Sequence, residues 1–512
     1  MIKGDIIEGI IKFNSGGNAY LVIDELTKDV QINKGRTAKA LHLDKVKIKV
    51  TAITPKTQGE VVEIIERYKD EFVGTLAISS KHAFFVADDD KVKVDFFIPL
   101  NKLNGANTGQ KVVVKLSDWK EGKKNPNGKV IRIIGEAGEH ETEIHSIMET
   151  YGLPYKFSKN VLDEADAIPS EIPKEEFEKR LDLRQITTIG IDPINSRDAD
   201  DTIGMEWDNG EAIVYVNIAD ISFYVTPNSD IDKEAYNRGN SYYLVDRVVH
   251  MIPERLSSDI CSLKSGSDKL TYSGIFRINN QGNIVDSKFT RTIINVDKDY
   301  TYEDAQHIIE NGVSVENSKT DQVVLDLDRL AKSLRKNRLK DEFLQIDSPE
   351  VNFVLDENNK PIEITFKHSK DSNKLIEEFM LLTNKEVCKF IKSKGLLSIN
   401  RIHETPDIGK LMNLKEFVKQ FGYDLQLGEN NEMRNSLNKL IAESKNTPEG
   451  EIISKLITRA QQKARYSSKN LQHYGLNFKD YSHFTSGIRR YSDIICHRIL
   501  TKALGNNGYP IK

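Results

Sequence analysis

The 512-residue chain has little cysteine and no long apolar run. Its three cysteines, Cys261, Cys388 and Cys496, have spacings that fit neither a disulfide framework nor a zinc site, so we expect buried thiols. No stretch reaches the roughly 18 continuous apolar residues of a membrane span, and the N-terminal residues lack the basic and apolar segments of a secretion signal. The sequence therefore argues against a disulfide scaffold and a membrane protein, and it predicts a cytoplasmic location.

The chain also lacks a strong net charge, which is −4. Dedicated nucleic-acid-binding domains are often basic, so this value taken alone argues weakly against nucleic acid as a partner. Lysine and arginine nevertheless exceed aspartate and glutamate in residues 1–140, so the acidic excess lies in the rest of the chain. Hydrophobic residues at 38% and charged residues at 29% are typical of a folded protein, and the length suggests about three or four domains.

The first 135 residues consist of short strand-like segments separated by turn residues. One pattern occurs twice, as Gly9-Ile10-Ile11 followed by Ala19–Ile23 and as Gly74-Thr75-Leu76 followed by Ala83–Ala87. Each copy precedes a lysine-rich alternating strand, Lys45–Val50 in the first and Lys111–Leu116 in the second. The repeat predicts two small β-barrels in tandem.

Small barrels of the OB or cold-shock type bind single strands by stacking bases on exposed aromatic rings beside a basic groove. Tyr20, Phe84 and Phe85 are candidates for such rings. The alternative is that they fill the barrel interiors, and the alternating pattern of a strand does not decide between the two.

From about Leu181 onward the pattern changes to an α+β type without regular alternation of strands and helices. We predict strands at Ala212–Ala219 and Tyr272–Ile278, and helices around Asp321–Leu334, Lys374–Lys392 and Lys410–Phe421. The expected domains are a first barrel at 1–57, a second barrel at 58–136, a connector at 137–180 and an α+β domain at 181–512.

The most informative segment contains four aspartates within ten residues, Asp192, Asp198, Asp200 and Asp201. Apolar β-type residues flank them, so we expect a loop held between two strands. Carboxylates this close together raise one another's pKa unless a counter-charge is present. Hard oxygen ligands suit Mg²⁺, with Mn²⁺ as an alternative, and such a site favours phosphodiester chemistry. A solvated acidic loop or a structural calcium loop remains open, although the spacing does not follow the EF-hand pattern.

The segment Gly190–Asp201 resembles the catalytic signature of the ribonuclease R and ribonuclease II family, an aspartate followed by an (R/K)-D-x-D-D cluster. Further segments resemble the family in the same order. They are Asn217–Ser222, Asp232–Gly239, Ile252–Ser257, Cys261–Leu263, Ile376–Met380, Arg401–Glu404 and His483–Tyr491. These matches extend over about 330 residues of the chain.

The resemblance implies an RNB-type α+β catalytic domain preceded by two cold-shock barrels of the OB fold. It implies magnesium-dependent hydrolysis of single-stranded RNA from the 3′ end to nucleoside 5′-monophosphates. The four aspartates would form the metal site, with Asp200 the most sensitive to change. Single-stranded RNA is then the expected partner, and no obligate protein partner is implied.

Two tyrosines match family residues that hold the RNA. The resemblance implies that Tyr243 packs against the terminal nucleotide and that Tyr302 helps to hold the 3′ end. Stacking on a base recognises any sequence, which suits a degrading enzyme. Without the resemblance, packing in the protein core would be the simpler explanation for either tyrosine.

The segment that follows Ser486 predicts a helix with Ser486 as its cap. Its apolar face would hold Ile488, Tyr491, Ile495 and Ile499. The resemblance implies that Arg489 neutralises charge on the scissile phosphate and that Arg490 contacts an RNA phosphate. The alternative for Arg489 is a surface ion pair with Asp493, four residues away.

The chain departs from the family pattern in three respects, one of which is Phe223, where histidine or tyrosine is common. Gly487 stands where the family usually has proline, and the added backbone freedom predicts slower catalysis. The chain also ends at Lys512, after Asn506–Lys512, which looks like an interrupted loop, so we expect a fragment that lacks the end of the catalytic domain and an S1-type barrel. A catalytically silent RNA-binding member of the same family is the alternative function.

Overall fold

A computed structural model describes residues 2–14, 16–22, 29–54, 56–312, 319–340, 343–346 and 350–505. The chain divides into two compact units, Met1–Tyr155 and Lys156–Lys512. Ile23 and the segment Asn506–Lys512, both named in the sequence predictions, lie outside the described residues. No helix within the described ranges has the length and apolar character to cross a membrane.

The first unit begins with a closed five-stranded barrel in the order β1-β2-β3-β5-β4. Its strands are β1 (Ile6–Phe13), β2 (Ala19–Val22), β3 (Val30–Ile32), β4 (Lys45–Ala52) and β5 (Gln58–Glu66). The predicted alternation along β4 is confirmed, since Val46 and Ile48 are buried between lysines. The expected boundary after residue 57 is wrong, because β5 pairs with β3 and β4 and closes this barrel.

The second barrel repeats the first, as the sequence pattern predicted. Its strands are β6 (Glu71–Ile78), β7 (Ala83–Ala87), β8 (Phe96–Ile98), β9 (Gln110–Asp118) and β10 (Asn127–Glu136), with a short 3₁₀ turn at Leu100–Lys102. They close in the order β6-β7-β8-β10-β9. Gly74 is required in β6, because a Cβ there would lie 2.1 Å from the Val86 carbonyl oxygen. Helix α1 (His140–Thr150) follows the barrel within the same unit.

The second unit is built on a seven-stranded mixed sheet in the order β11-β18-β17-β14-β13-β12-β19. These strands are β11 (Leu181–Asp182), β12 (Thr188–Asp192), β13 (Asp201–Asp208), β14 (Glu211–Ala219), β17 (Asp268–Ile278), β18 (Ile284–Asn295) and β19 (Lys298–Thr301). The predicted strands at 212–219 and 272–278 are confirmed. A tight turn at Asn209 and Gly210, both with positive φ, joins β13 to β14.

The second unit also contains short helices, turns and two-stranded pairs outside the seven-stranded sheet. They are α2 (Lys159–Asp166), α3 (Lys174–Lys179), α4 (Ile221–Tyr224), α5 (Asp230–Arg238), β15 (Tyr242–Tyr243), β16 (Val248–Val249), a π-helical turn at Arg255–Ile260, the hairpin β20 (Glu350–Leu355) and β21 (Pro361–Lys367), and the pair β22 (Asn400–Ile402) and β23 (Arg465–Ser467).

The longer helices form two cores, of which only one lies against the sheet. They are α6 (Tyr302–Asn311), α7 (Lys319–Lys340), α8 (Asp371–Ser393), α9 (Ile408–Lys419), α10 (Asn430–Ser444), α11 (Gly450–Ala460) and α12 (Tyr491–Ala503). The helices predicted at 321–334, 374–392 and 410–421 are confirmed as α7, α8 and α9. One apolar cluster joins the sheet to α6, α7, α8 and α12 and includes the fully buried Phe379 of α8, whereas α9, α10 and α11 pack together in a second cluster. All three cysteines are buried free thiols, as expected.

Candidate active site

The four predicted aspartates lie where two neighbouring strands of the sheet meet. Asp192 is the last residue of β12 and Asp201 the first of β13, while Asp198 and Asp200 lie on the loop between them. Since β12 and β13 are antiparallel neighbours, the loop between them keeps Asp192 and Asp201 at the same end of the two strands. All four aspartates line one open cavity of about 1450 Å³.

Burial dominates the electrostatics of these carboxylates. Burial raises the pKa of Asp200 to about 7, and it raises the pKa of Asp201 well above its ordinary value, with repulsion from Asp192 and Asp200 adding to the effect. The pKa of Asp192 is raised for the same reason. Nevertheless, across the described ranges no three aspartate, glutamate, histidine or cysteine side chains converge closely enough to hold a metal ion by themselves.

Three neighbours position the carboxylates individually. The Ile488 N–H donates to Asp200 Oδ1 at 2.9 Å, and the Tyr243 hydroxyl donates to Asp198 Oδ2 at 2.5 Å. The Lys264 ammonium lies 3.6 Å from Asp192 Oδ2. Sequence reasoning did not identify Lys264, although it follows directly after the segment Cys261–Leu263 that resembles the family.

The segment Cys261–Leu263 also contacts the loop that carries Asp198 and Asp200. The Ser262 hydroxyl donates to the Arg197 carbonyl at 2.9 Å and accepts the Ala199 N–H at 3.1 Å. The Leu263 N–H donates to the Ala199 carbonyl at 3.0 Å. These contacts fix the loop between Asp198 and Asp200 to the segment that contains Ser262 and Leu263.

Arg489 lies beside Asp200, but it does not lie on a helix as predicted. Helix α12 begins at Tyr491, and Ser486 does not cap it. The Arg489 Nε is 3.4 Å from Asp200 Oδ2, so its acidic neighbour is Asp200 and not Asp493. Asp493 pairs instead with Arg490, the second predicted arginine. The segment that was predicted as the start of a helix is therefore a loop, and its residues Ser486, Arg489 and Arg490 line the cavity.

The structure brings the two predicted tyrosines to the same cavity. Tyr243 lies on β15 with its side chain about half exposed, and Tyr302 is the first residue of α6. Burial and the charges of Asp201 and Asp192 raise the pKa of Tyr302, which therefore lies near these carboxylates. The cavity also has lining residues that the sequence did not identify, among them Asn384 and Tyr481, while Glu377 and His483 belong to two of the segments that resemble the family.

The first unit has a separate aromatic surface on its second barrel. Phe84 on β7 and Phe97 on β8 are partly exposed and lie edge to face at 5.9 Å, with His82 next to Phe84 at 5.4 Å. Phe85 is fully buried in the barrel and is therefore not available to RNA. Tyr20 in the first barrel is partly exposed.

Comparison with known proteins agrees with this architecture. Three family models match the chain: the ribonuclease B OB domain at residues 9–66, the cold shock domain at 84–158 and the RNB domain at 180–506. Two barrels followed by an RNB domain are the domain order of the RNB class of 3′-to-5′ exoribonucleases.

Ribonuclease R of Thermotoga maritima is 33% identical over 511 residues, which cover 99% of this chain and 72% of the relative. The chain belongs to the RNB family of exoribonucleases, and it is similar to ribonuclease R over nearly its whole length.

Solved structures show the same fold. Ribonuclease R of Mycoplasma genitalium, in complex with ribose-methylated single-stranded RNA, matches with a TM-score of 0.90 and 24% identity over 97% of this chain and 79% of that one. Yeast Ssd1, described as a pseudonuclease, matches with a TM-score of 0.75 and 18% identity over 99% of this chain and 70% of that one. Because an inactive relative has this fold, the fold alone does not establish catalysis.

Proposed function

We propose that the chain hydrolyses single-stranded RNA from its 3′ end and releases nucleoside 5′-monophosphates in a reaction that depends on Mg²⁺, with Mn²⁺ as an alternative. The observation that supports this most is the convergence of four aspartates, Arg489 and two tyrosines on one cavity. Complexes of Mycoplasma genitalium ribonuclease R with single-stranded and double-stranded RNA support RNA as the ligand. The cytoplasmic location stays a prediction.

The donor set fits a hard divalent cation. Asp192, Asp200 and Asp201 all have raised pKa values, so a positive charge among them would be strongly favourable. Mg²⁺ is usually bound by one or two carboxylates together with water and substrate phosphate, which agrees with a cavity where no three of the described acidic side chains converge. The carboxylates that hold the ion would come from Asp192, Asp198, Asp200 and Asp201, and the bound ion would acidify water and neutralise phosphate charge.

The protein's own residues would orient the reacting phosphate. Arg489 is partly exposed beside Asp200, so its planar guanidinium can donate to a phosphate oxygen as negative charge grows there. Tyr243 holds Asp198 through its hydroxyl and presents its ring to the cavity, where a terminal base can stack on it. Water attacks the phosphorus, and the bond from phosphorus to the 3′ oxygen of the preceding nucleotide breaks. That oxygen leaves as a 3′ hydroxyl, and the phosphate stays on the 5′ carbon of the released nucleotide.

A single assay tests the proposal. Single-stranded RNA labelled at its 5′ end should shorten progressively to a very short labelled product in Mg²⁺, and it should remain intact in EDTA or with Asp200→Asn. Asp230→Asn is the matched control, because Asp230 is exposed on α5 and pairs with Lys233 away from the cavity.

RNA binding by the parent protein without shortening would overturn the catalytic proposal. It would support the silent RNA-binding alternative instead.

A further inference from the structure

Arg490 and Asp493 form a buried ion pair at the start of α12. The Asp493 side chain is fully buried, and its two carboxylate oxygens accept from Arg490 Nε at 3.0 Å and from Arg490 Nη2 at 2.6 Å. Two parallel hydrogen bonds between a guanidinium and a carboxylate are the strong, directional form of this interaction. The pair is therefore a fixed part of the structure.

Contacts from this pair lead to the cavity. Asp493 Oδ1 also accepts the Ser486 N–H at 2.9 Å, and the Ser486 hydroxyl accepts from Arg489 Nη2 at 2.9 Å. Arg490 holds Asp493, Asp493 holds Ser486, and Ser486 holds the Arg489 guanidinium. Each step is a hydrogen bond of ordinary length.

The loop from Phe484 to Arg490, which precedes α12, is also held at both of its ends. At its beginning, Asn384 on α8 accepts the Phe484 N–H at 2.7 Å and donates to the Thr485 hydroxyl at 3.3 Å. At its end, the Ser241 N–H donates to the Arg489 carbonyl at 3.0 Å. Side chains from α8 and α12 therefore determine where the loop presents Arg489.

Two roles for Arg490 compete, direct contact with an RNA phosphate and positioning of Arg489. The Arg490 side chain is 17% exposed, whereas the Arg489 side chain is 42% exposed. Turning Arg490 towards a phosphate would also leave the buried Asp493 carboxylate unpaired, which is strongly unfavourable. Both observations favour positioning.

We propose that Arg490 is a positioning residue, which acts through Asp493 and Ser486 to hold the Arg489 guanidinium beside Asp200 and does not itself contact RNA. This inference rests on the proposed function, in which Arg489 meets the scissile phosphate. It replaces the role of phosphate contact that the family resemblance implied for Arg490.

The two roles differ in how RNA binding depends on salt. Removing one phosphate-binding cation from a single-strand complex should reduce the slope of log K against log salt by about 0.7. We would measure binding of a short 5′-labelled oligoadenylate in EDTA over a salt series, and kcat and KM in Mg²⁺, for the parent, Arg490→Gln, Arg490→Lys, Asp493→Asn and Arg489→Gln.

Positioning predicts that Arg490→Gln keeps the parent affinity and salt slope while kcat falls by about tenfold to a hundredfold, because a small misplacement of a reacting group is costly. Asp493→Asn should lower kcat in the same way, and the double variant should be no worse than either single one. Arg490→Lys, which keeps the charge, should recover part of kcat. A lower salt slope and weaker binding with Arg490→Gln would overturn the proposal.

Asp407→Asn is the matched control, because Asp407 also accepts a backbone N–H at the start of a helix, from Lys410 at 3.0 Å, but does not line the cavity. It should keep the parent kcat. Thermal unfolding of each variant identifies loss of the fold, and Arg490→Lys still tests the inference if Asp493→Asn does not fold.

A parent protein without turnover would refute the proposed function. Turnover in the parent that Arg490→Gln leaves unchanged would refute this inference alone.

Discussion

Removal of divalent ions should make the stability of the second unit depend on pH through Asp200. Burial raises the pKa of this carboxyl from its ordinary value of 3.8 to about 7 in the ion-free protein, against the opposing charge of Arg489. The folded state then binds the proton more tightly than the unfolded state does. The resulting stabilisation is complete below about pH 4 and is lost as the pH rises to about 7.

The size of this effect follows from the difference between the two pKa values. The interval from 3.8 to about 7 corresponds to about 4 kcal/mol of unfolding free energy. Over the practical window from about pH 5.5 to 7, Asp200 should account for a loss of about 2 kcal/mol. A divalent cation held by the carboxylate offsets the buried charge, so the loss should be smaller in Mg²⁺.

Urea unfolding followed by tryptophan fluorescence can report the stability of the second unit, which contains Asp200. The chain has two tryptophans, and Trp207 lies on β13, the strand that begins with Asp201. A Trp119→Phe background removes the signal of the first unit. We expect the parent in EDTA to lose stability as the pH rises and Asp200→Asn to lose about 2 kcal/mol less.

Asp230→Asn, an exposed substitution, should behave as the parent. Equal pH dependence in the parent and in Asp200→Asn would show that the Asp200 carboxyl has an ordinary pKa. The explanation from burial would then be wrong.

Three further predictions concern other parts of the chain. Gly487→Ala should lower stability in urea unfolding by about 1 kcal/mol, because the added Cβ lies 3.0 Å from a neighbouring isoleucine side chain. Phe84→Ala should weaken RNA binding about tenfold in a titration with little loss of stability, whereas Phe85→Ala should destabilise the second barrel by about 3–5 kcal/mol because the ring is fully buried. Lys264→Met should increase Mg²⁺ affinity about two- to fivefold in calorimetric titration, since the ammonium 3.6 Å from Asp192 competes with the ion.

The aspartate cluster could be predicted because its chemistry is local in the sequence. Four carboxylates between two apolar segments require a loop between strands, and the structure shows that loop between β12 and β13. The contacts that hold it could not be predicted in the same way. Ser262 reaches Ala199 across 63 residues, and Lys264 reaches Asp192 across a similar separation, so neither pairing leaves a periodic signal.

The barrels show a similar limit. Repeated patterns predicted two barrels, but the first boundary was placed just before β5, a strand that has an irregular register against β4 and closes the first barrel. Alternation along β7 placed Phe84 and Phe85 on opposite faces without showing which face was the interior. Packing decided this, since Phe85 meets Phe96 inside the barrel at 5.5 Å.

The arginine segment shows how a small error in a helix boundary changes a chemical assignment. A helix from Ser486 would place Arg489 and Asp493 four residues apart on one face, as an ordinary surface pair. In the structure Arg490 has an extended backbone with φ −137° and ψ 121°, so α12 begins only at Tyr491. In the loop before it, the Ile488 N–H donates to Asp200 and the Ser486 N–H donates to Asp493. Asp493, which the longer helix would have paired with Arg489, pairs with Arg490 instead, and Arg489 lies beside Asp200. The acids that bind the two backbone N–H groups therefore determine which arginine can reach a phosphate, and neither bond is apparent from the spacing of the residues.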